Sequence, residues 1–275
     1  MENLWKGLKE HKTFRFTTLL VVLLIALVVL APVIAPYNPL EAVMKDANQA
    51  PSMAHLFGTD KLGRDVLSRI LYGGAYSLSS VLALVAIIFC VGTFLGLVAG
   101  YFGGIVDTVI MRIADMMISF PGVILAIAIA GIMGGSLVNA MIALTAVTWT
   151  KYARLSRSMV LKIRKRDFVD AAIVSGGTSS HILWSHIMPN VVPILVITAV
   201  SDIGAMMMEL AGLSFLGFGS QPPAPEWGLM LNEGRQQLQT APWLMVFPGL
   251  AIFISVVIFN LWGDALRDVL DPRDN

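Results

Sequence analysis

Residues 78–101 read LSSVLALVAIIFCVGTFLGLVAGY, 24 positions without one charged side chain. A helix needs about 20 mostly apolar residues to cross a bilayer, and this stretch supplies them. Lipid offers no hydrogen bonds to the backbone, so only helices or closed barrels span it. A run this long without alternating polarity excludes the barrel. Five more stretches read the same way: Phe16–Ala35, Ile113–Met133, Leu137–Met159, Val191–Leu213 and Trp243–Gly263. The expected fold is an all-α integral membrane protein with six transmembrane helices.

Composition agrees. Of 275 residues, 56% are apolar and 13% charged, against roughly 25% charged in soluble domains. That deficit removes the solvated face of a soluble enzyme, and the high apolar content excludes disorder. With 19 Lys plus Arg against 18 Asp plus Glu, nothing points to nucleic acid. Within 78–101, Gly92, Gly96 and Gly100 recur at four-residue spacing, which predicts a helix–helix contact face. Cys90, the single cysteine, reads as a small core residue.

Orientation follows from the basic residues. Lys6, Lys9, Lys12 and Arg15, then Arg112, seven between Lys151 and Arg166, and Arg267 with Arg273 put 14 on one side; Lys45, Lys61, Arg64, Arg69 and Arg235 leave five on the other. Positive charge marks the cytoplasm, so both termini are expected there and the loops 36–77 and 214–242 outside. The apolar core of the first span is too long for a signal peptide, and it reads as an uncleaved anchor. Trp149 and Trp262 fall at cytoplasmic ends and Trp243 at an outer end, as an interfacial belt would place them. The expected organisation is a cytoplasmic segment 1–15, one transmembrane domain 16–264 and a cytoplasmic tail 265–275.

Catalytic patterns are missing. No lysine follows a glycine as a P-loop requires, and no His-Glu-x-x-His occurs. His181 and His186 are five apart, which does not place them on one helix face. Neither catalysis, a cofactor nor a resident metal is expected. Asp202 and Glu209, seven apart in the fifth span, lie on nearly one helix face. They would line a translocation path or relay protons, or be satisfied against a neighbouring helix; both readings stand. Of Met206, Met207 and Met208, most must pack, and Met206 is the candidate to line a path beside the two acids.

The segment 160–190 interrupts the apolar pattern. Arg154, Arg157, Lys162, Arg164, Lys165 and Arg166 form a basic shoulder that suits anionic headgroups. A short helix starting at Asp170-Ala171-Ala172, broken by Gly176 and Gly177, precedes a second one starting near Thr178 or Ser179. Ser179 or Ser180 would cap the second helix, and Pro189 would stop it. Two short helices about a glycine hinge suggest a docking element for a cytoplasmic partner. In the outer loops, Asp65 and Arg69 at i, i+4 suit an interfacial helix, and Glu226 suits the start of a short helix with Trp227 in the headgroups.

These residues resemble the permease subunits of ATP-binding-cassette (ABC) importers, whose signature is Glu-Ala-Ala, Gly after three residues and Pro after twelve more. Here Asp170, Ala171, Ala172, Gly176 and Pro189 hold that spacing, with Asp in place of Glu. His186-Ile187-Met188-Pro189-Asn190 resembles the form of the peptide and nickel branch. So do residues 56–65 (LFGTDKLGRD), Ser119-Phe120-Pro121, residues 213–219 (LSFLGFG), Pro225-Glu226-Trp227-Gly228 and the tail through Asp271-Pro272. Ala75 stands where the branch often has arginine. The resemblance implies a type I importer permease fold with cytoplasmic coupling helices, in a bacterial or archaeal cytoplasmic membrane. It implies four partners: a second permease, two ATP-binding subunits that Asp170, Ala171, Ala172, Gly176, His186 and Pro189 would engage, and an extracytoplasmic substrate-binding protein. Residues 202–207 look like nickel permeases, implying nickel or a metal chelate as cargo; residues 221–227 look equally at home in dipeptide permeases, implying di- or oligopeptides.

Overall fold

The first apolar stretch forms helix α1 (Lys12–Val29) in the computed structural model, which describes residues 11–270. Lys6, Lys9, Arg273, Asp271 and Pro272 lie outside the described residues. Pro32, at the start of the short α2 (Ala31–Ile34), accompanies the break at Leu30. After the 36–65 loop come α3 (Val66–Phe102), α4 (Gly104–Ile118), α5 (Gly122–Met133), α6 (Leu137–Ile163), α7 (Asp167–Val174), α8 (Ser179–His181), α9 (Met188–Phe215), α10 (Trp227–Gly234) and α11 (Trp243–Leu270). No strand occurs among the described residues.

Among the described residues, four helical stretches can cross a membrane by length and composition: Lys12–Val29, Val66–Phe102, Ser179–Phe215 and Trp243–Leu270. The expected third span, Ile113–Met133, is not one helix. It is the pair α4 and α5, bent by 93°. Pro121 disfavours helical backbone at the residue before it, and α4 ends at Ile118 accordingly. Helix α6 exists over the predicted fourth span, but its second half carries Lys151, Arg154, Arg157 and Lys162. Helix α3, 37 residues long, measures about 55 Å at 1.5 Å per residue, more than the bilayer core requires.

Contacts divide the described residues into two compact units, 11–83 with 129–142 and 200–270, and 84–128 with 143–199. In the first, α1 packs on α11: Phe14 is buried against Ala265 and Leu266, and the Trp262 indole donates to the Thr18 hydroxyl at 3.1 Å. In the second, the glycine ladder does what its spacing predicts. A side chain at Gly92 would strike the Trp149 carbonyl and Tyr152, and one at Gly96 the Ala153 carbonyl. Trp149 is therefore not an interfacial anchor; it is buried against Ala114 and Ala153. Cys90 is exposed rather than a core residue, because the glycine face, not the face bearing Cys90, meets α6.

Candidate functional site

The 164–187 segment is built by two local devices. Helix α7 begins at Asp167, three residues before the expected start, because Asp167 and Asp170 both fall in a first turn that favours acidic side chains. It ends in a Schellman closure: Gly177 N–H donates to the Ala172 carbonyl and Gly176 N–H to that of Ile173, each at 3.0 Å. Gly176 has φ +81°, the left-handed region that glycine enters freely. The next helix is capped by Thr178, whose hydroxyl accepts from His181 N–H at 3.3 Å; Ser179 and Ser180 lie inside it. Pro189 does not stop this helix. Residues Ile182–Ile187 widen into a π-turn and α9 follows without a gap, so the missing proline N–H falls where the regular bonding ladder is already interrupted.

Among its exposed charged and polar residues, this segment also shows large apolar side chains outward. Phe168, Ile173 and Trp184 are about half exposed and Val174 is 88% exposed. Asp170, Ala171 and Gly176 are exposed, Ala172 and His186 half-buried, and Pro189 exposed. The His186 ring meets His181 edge-on at 5.5 Å. The basic shoulder before it is partly neutralised within its own unit: Arg154 pairs with Asp115 and Arg157 with Asp107, while Arg164 donates to the Tyr101 carbonyl at 2.9 Å.

In the other unit, a second polar site is buried. Asp60 accepts from the backbone N–H groups of Leu62 and Arg64 at 2.8 and 3.0 Å, which fixes the turn through Gly63. Its other oxygen takes Arg64 Nε at 2.6 Å and Arg69 Nη1 at 3.3 Å. Both arginines then reach Glu233 on α10, Arg69 at 2.8 Å and Arg64 at 3.2 Å. Two cations and two anions thus close a ring joining stretches 164 residues apart. Asp65 caps α3 by accepting from Ser68 N–H at 2.8 Å, and holds His55 Nδ1 at 2.9 Å. Glu226 caps α10, accepting from Gly228 and Leu229 N–H at 2.8 Å each. Burial drives its carboxyl above the usual carboxylate range, partly offset by those N–H groups and by Ser214 and Ser77.

Residues 92–274 match the family described as the binding-protein-dependent transport system inner membrane component, and residues 1–51 match the N-terminal transmembrane domain of oligopeptide transport permease C. The chain belongs to this permease family. Similar proteins include the dipeptide transport system permease protein DppC of Alkalihalophilus pseudofirmus, 41% identical over 98% of this chain and 88% of that one. The glutathione transport system permease protein GsiD of Pectobacterium atrosepticum is 43% identical over 98% and 90%. The nickel transport system permease protein NikC of Escherichia coli K12 is 42% identical over 94% and 95%. Among solved structures, the inward-facing MetNI methionine ABC transporter shares the fold, with a TM-score of 0.52 at 19% identity, over 72% of this chain and 96% of that chain.

On the permease's α9, Met206 and Met207 are buried and Met208 is 56% exposed, so most of the three do pack. Asp202 and Glu209 are half-buried, and neither lacks a partner. Asp65 and Arg69 do not pair at i, i+4 on an interfacial helix; both are buried and turn to different partners. Trp227 is not a headgroup anchor but is buried, its indole donating to the Ile70 carbonyl at 2.9 Å. Glu233 escaped the sequence reading altogether, since a partner so distant in the chain leaves no local spacing to find.

Proposed function

We propose that this permease is one of two different membrane subunits of an ABC importer, crossing the membrane six times with both termini in the cytoplasm. The crossings would be α1, α3, the bent α4–α5 pair, α6, α9 and α11. In α6, Leu137–Thr150 carries no charge, and pairing Arg154 and Arg157 with acids lowers the cost of placing its second half near the membrane. Two ATP-binding subunits supply the energy and an extracytoplasmic binding protein delivers cargo. Transport is alternating access, two arrangements of similar energy biased by the state of the partners. Asp202, Met206 and Glu209 are our candidates for the translocation path.

One observation carries the coupling role. Asp170, Ala171 and Ala172 sit on a short helix whose end is fixed by Gly176 and whose apolar side chains Phe168, Ile173 and Val174 lie exposed. A groove on an ATP-binding subunit would cover them. A cysteine at Ala171, in a permease with the exposed Cys90 replaced by serine, should cross-link to the ATP-binding subunit in the assembled transporter. Failure to capture that subunit, or a terminus labelled from outside intact cells, sinks the reading.

For cargo, residues 202–207 favour nickel or a metal chelate, and residues 221–227 favour di- or oligopeptides. Relatives named for dipeptide, glutathione and nickel transport stand at 41, 43 and 42% identity, which does not rank them. Calorimetry of the cognate binding protein with nickel and with dipeptides separates the two.

A further inference from the structure

The ring of Asp60, Arg64, Arg69 and Glu233 leaves one of its own donors over. Arg69 is 1% exposed; its two terminal nitrogens bond to Asp60 and Glu233, while Nε finds no partner among the described residues. Gln237, in the single turn Arg235–Gln237 after α10, has a buried Oε1 that also finds none. The two side chains line the same cavity, about 20 Å³ in volume, walled by Asp60, Glu233, Met230 and Leu244.

We propose that this cavity is the site of one internal water molecule shared by Arg69 and Gln237. The space leaves room for the centre of a water molecule, which is what an ordered water needs. Water accepts from Arg69 Nε–H and donates to Gln237 Oε1 at once. A halide would face the Gln237 oxygen without a proton to offer it, and a cation would face the Arg69 N–H without a lone pair. The carboxylates of Asp60 and Glu233 lie in the same wall, so the second water proton has an acceptor nearby. The water extends the ionic ring to a third element, tying the turn after α10 to the start of α3. This proposal stands apart from cargo and from the coupling role.

The test is a structure of the assembled transporter by electron cryo-microscopy at a resolution that shows ordered water. A single peak is expected within hydrogen-bond distance of both Arg69 Nε and Gln237 Oε1. A direct Arg69–Gln237 hydrogen bond closing the cavity overturns the proposal, as does a peak that strengthens when bromide replaces chloride. Gln237→Leu removes one ligand and keeps the backbone. Because the amides of Thr240 and Ala241 bond to the Gln237 carbonyl, they should exchange roughly tenfold faster in this variant. Unchanged exchange there counts against the water as a tie.

Discussion

The segment around α7 and the ionic ring around Arg69 solve opposite problems with similar materials. Around Arg69, four charges are withdrawn from water and satisfied by one another and by backbone N–H groups, leaving little that an outside partner could reach. Around α7, backbone ends are closed by a glycine and a threonine, while Phe168, Ile173 and Val174 stay open to the surroundings. One region turns its charges inward and the other is finished only in its backbone. Rigidity can therefore come from a buried network or from local closure alone, and only the second leaves a surface to offer.

Breaking the first region should cost most. Arg69→Met leaves the buried Asp60 and the half-buried Glu233 with one cation fewer, and removing one member of a buried pair costs about 3–5 kcal/mol. Thermal unfolding of the purified complex should drop accordingly, or folded protein should fail to accumulate. An unfolding temperature within a degree of wild type would mean that the ring is solvated.

A smaller loss is expected from Gly176→Val, where a branched side chain must enter left-handed backbone at roughly 1–2 kcal/mol. An added Cβ at Gly176 meets nothing within 4 Å, so the effect is conformational rather than steric. The variant should assemble yet lose cargo-stimulated ATP hydrolysis, and Gly176→Asn, which tolerates this backbone, should keep most of it. Equal hydrolysis in wild type and Gly176→Val would show that the closure of α7 does not set the coupling geometry.

The smallest effect concerns pH. Burial raises the Glu226 carboxyl from its reference of 4.5, so folding takes up a proton. Its stabilising share is fully present below that reference and is lost as pH rises through the elevated native value. Between acid and neutral pH, wild type should lose stability relative to Glu226→Gln. Parallel unfolding profiles for the two proteins would place the carboxylate in contact with water.

Four of the six expected apolar spans and the glycine ladder were legible because each is a local property of a continuous stretch. Gly176 was legible for the same local reason. The break at Pro121 carried its own signal, a proline inside an apolar run, but the run's hydropathy outweighed it in the reading. The ring was not legible. Asp65 and Arg69 offered a plausible local pairing, and only folding shows that Arg69 reaches past it to Glu233. Thr178 escaped for a subtler reason: three adjacent hydroxyl residues can all cap, and backbone geometry alone selects among them.

The wide turn at Ile182–Ile187 carries a consequence of its own. A segment that closes its turns over five residues contains more chain per revolution than the helix on either side. It is a place where that rod could shed one residue and tighten, or keep it and stay slack, without unwinding what lies beyond. Any displacement applied at Ser179 would have to cross this wide turn before it reached the regular helix beyond.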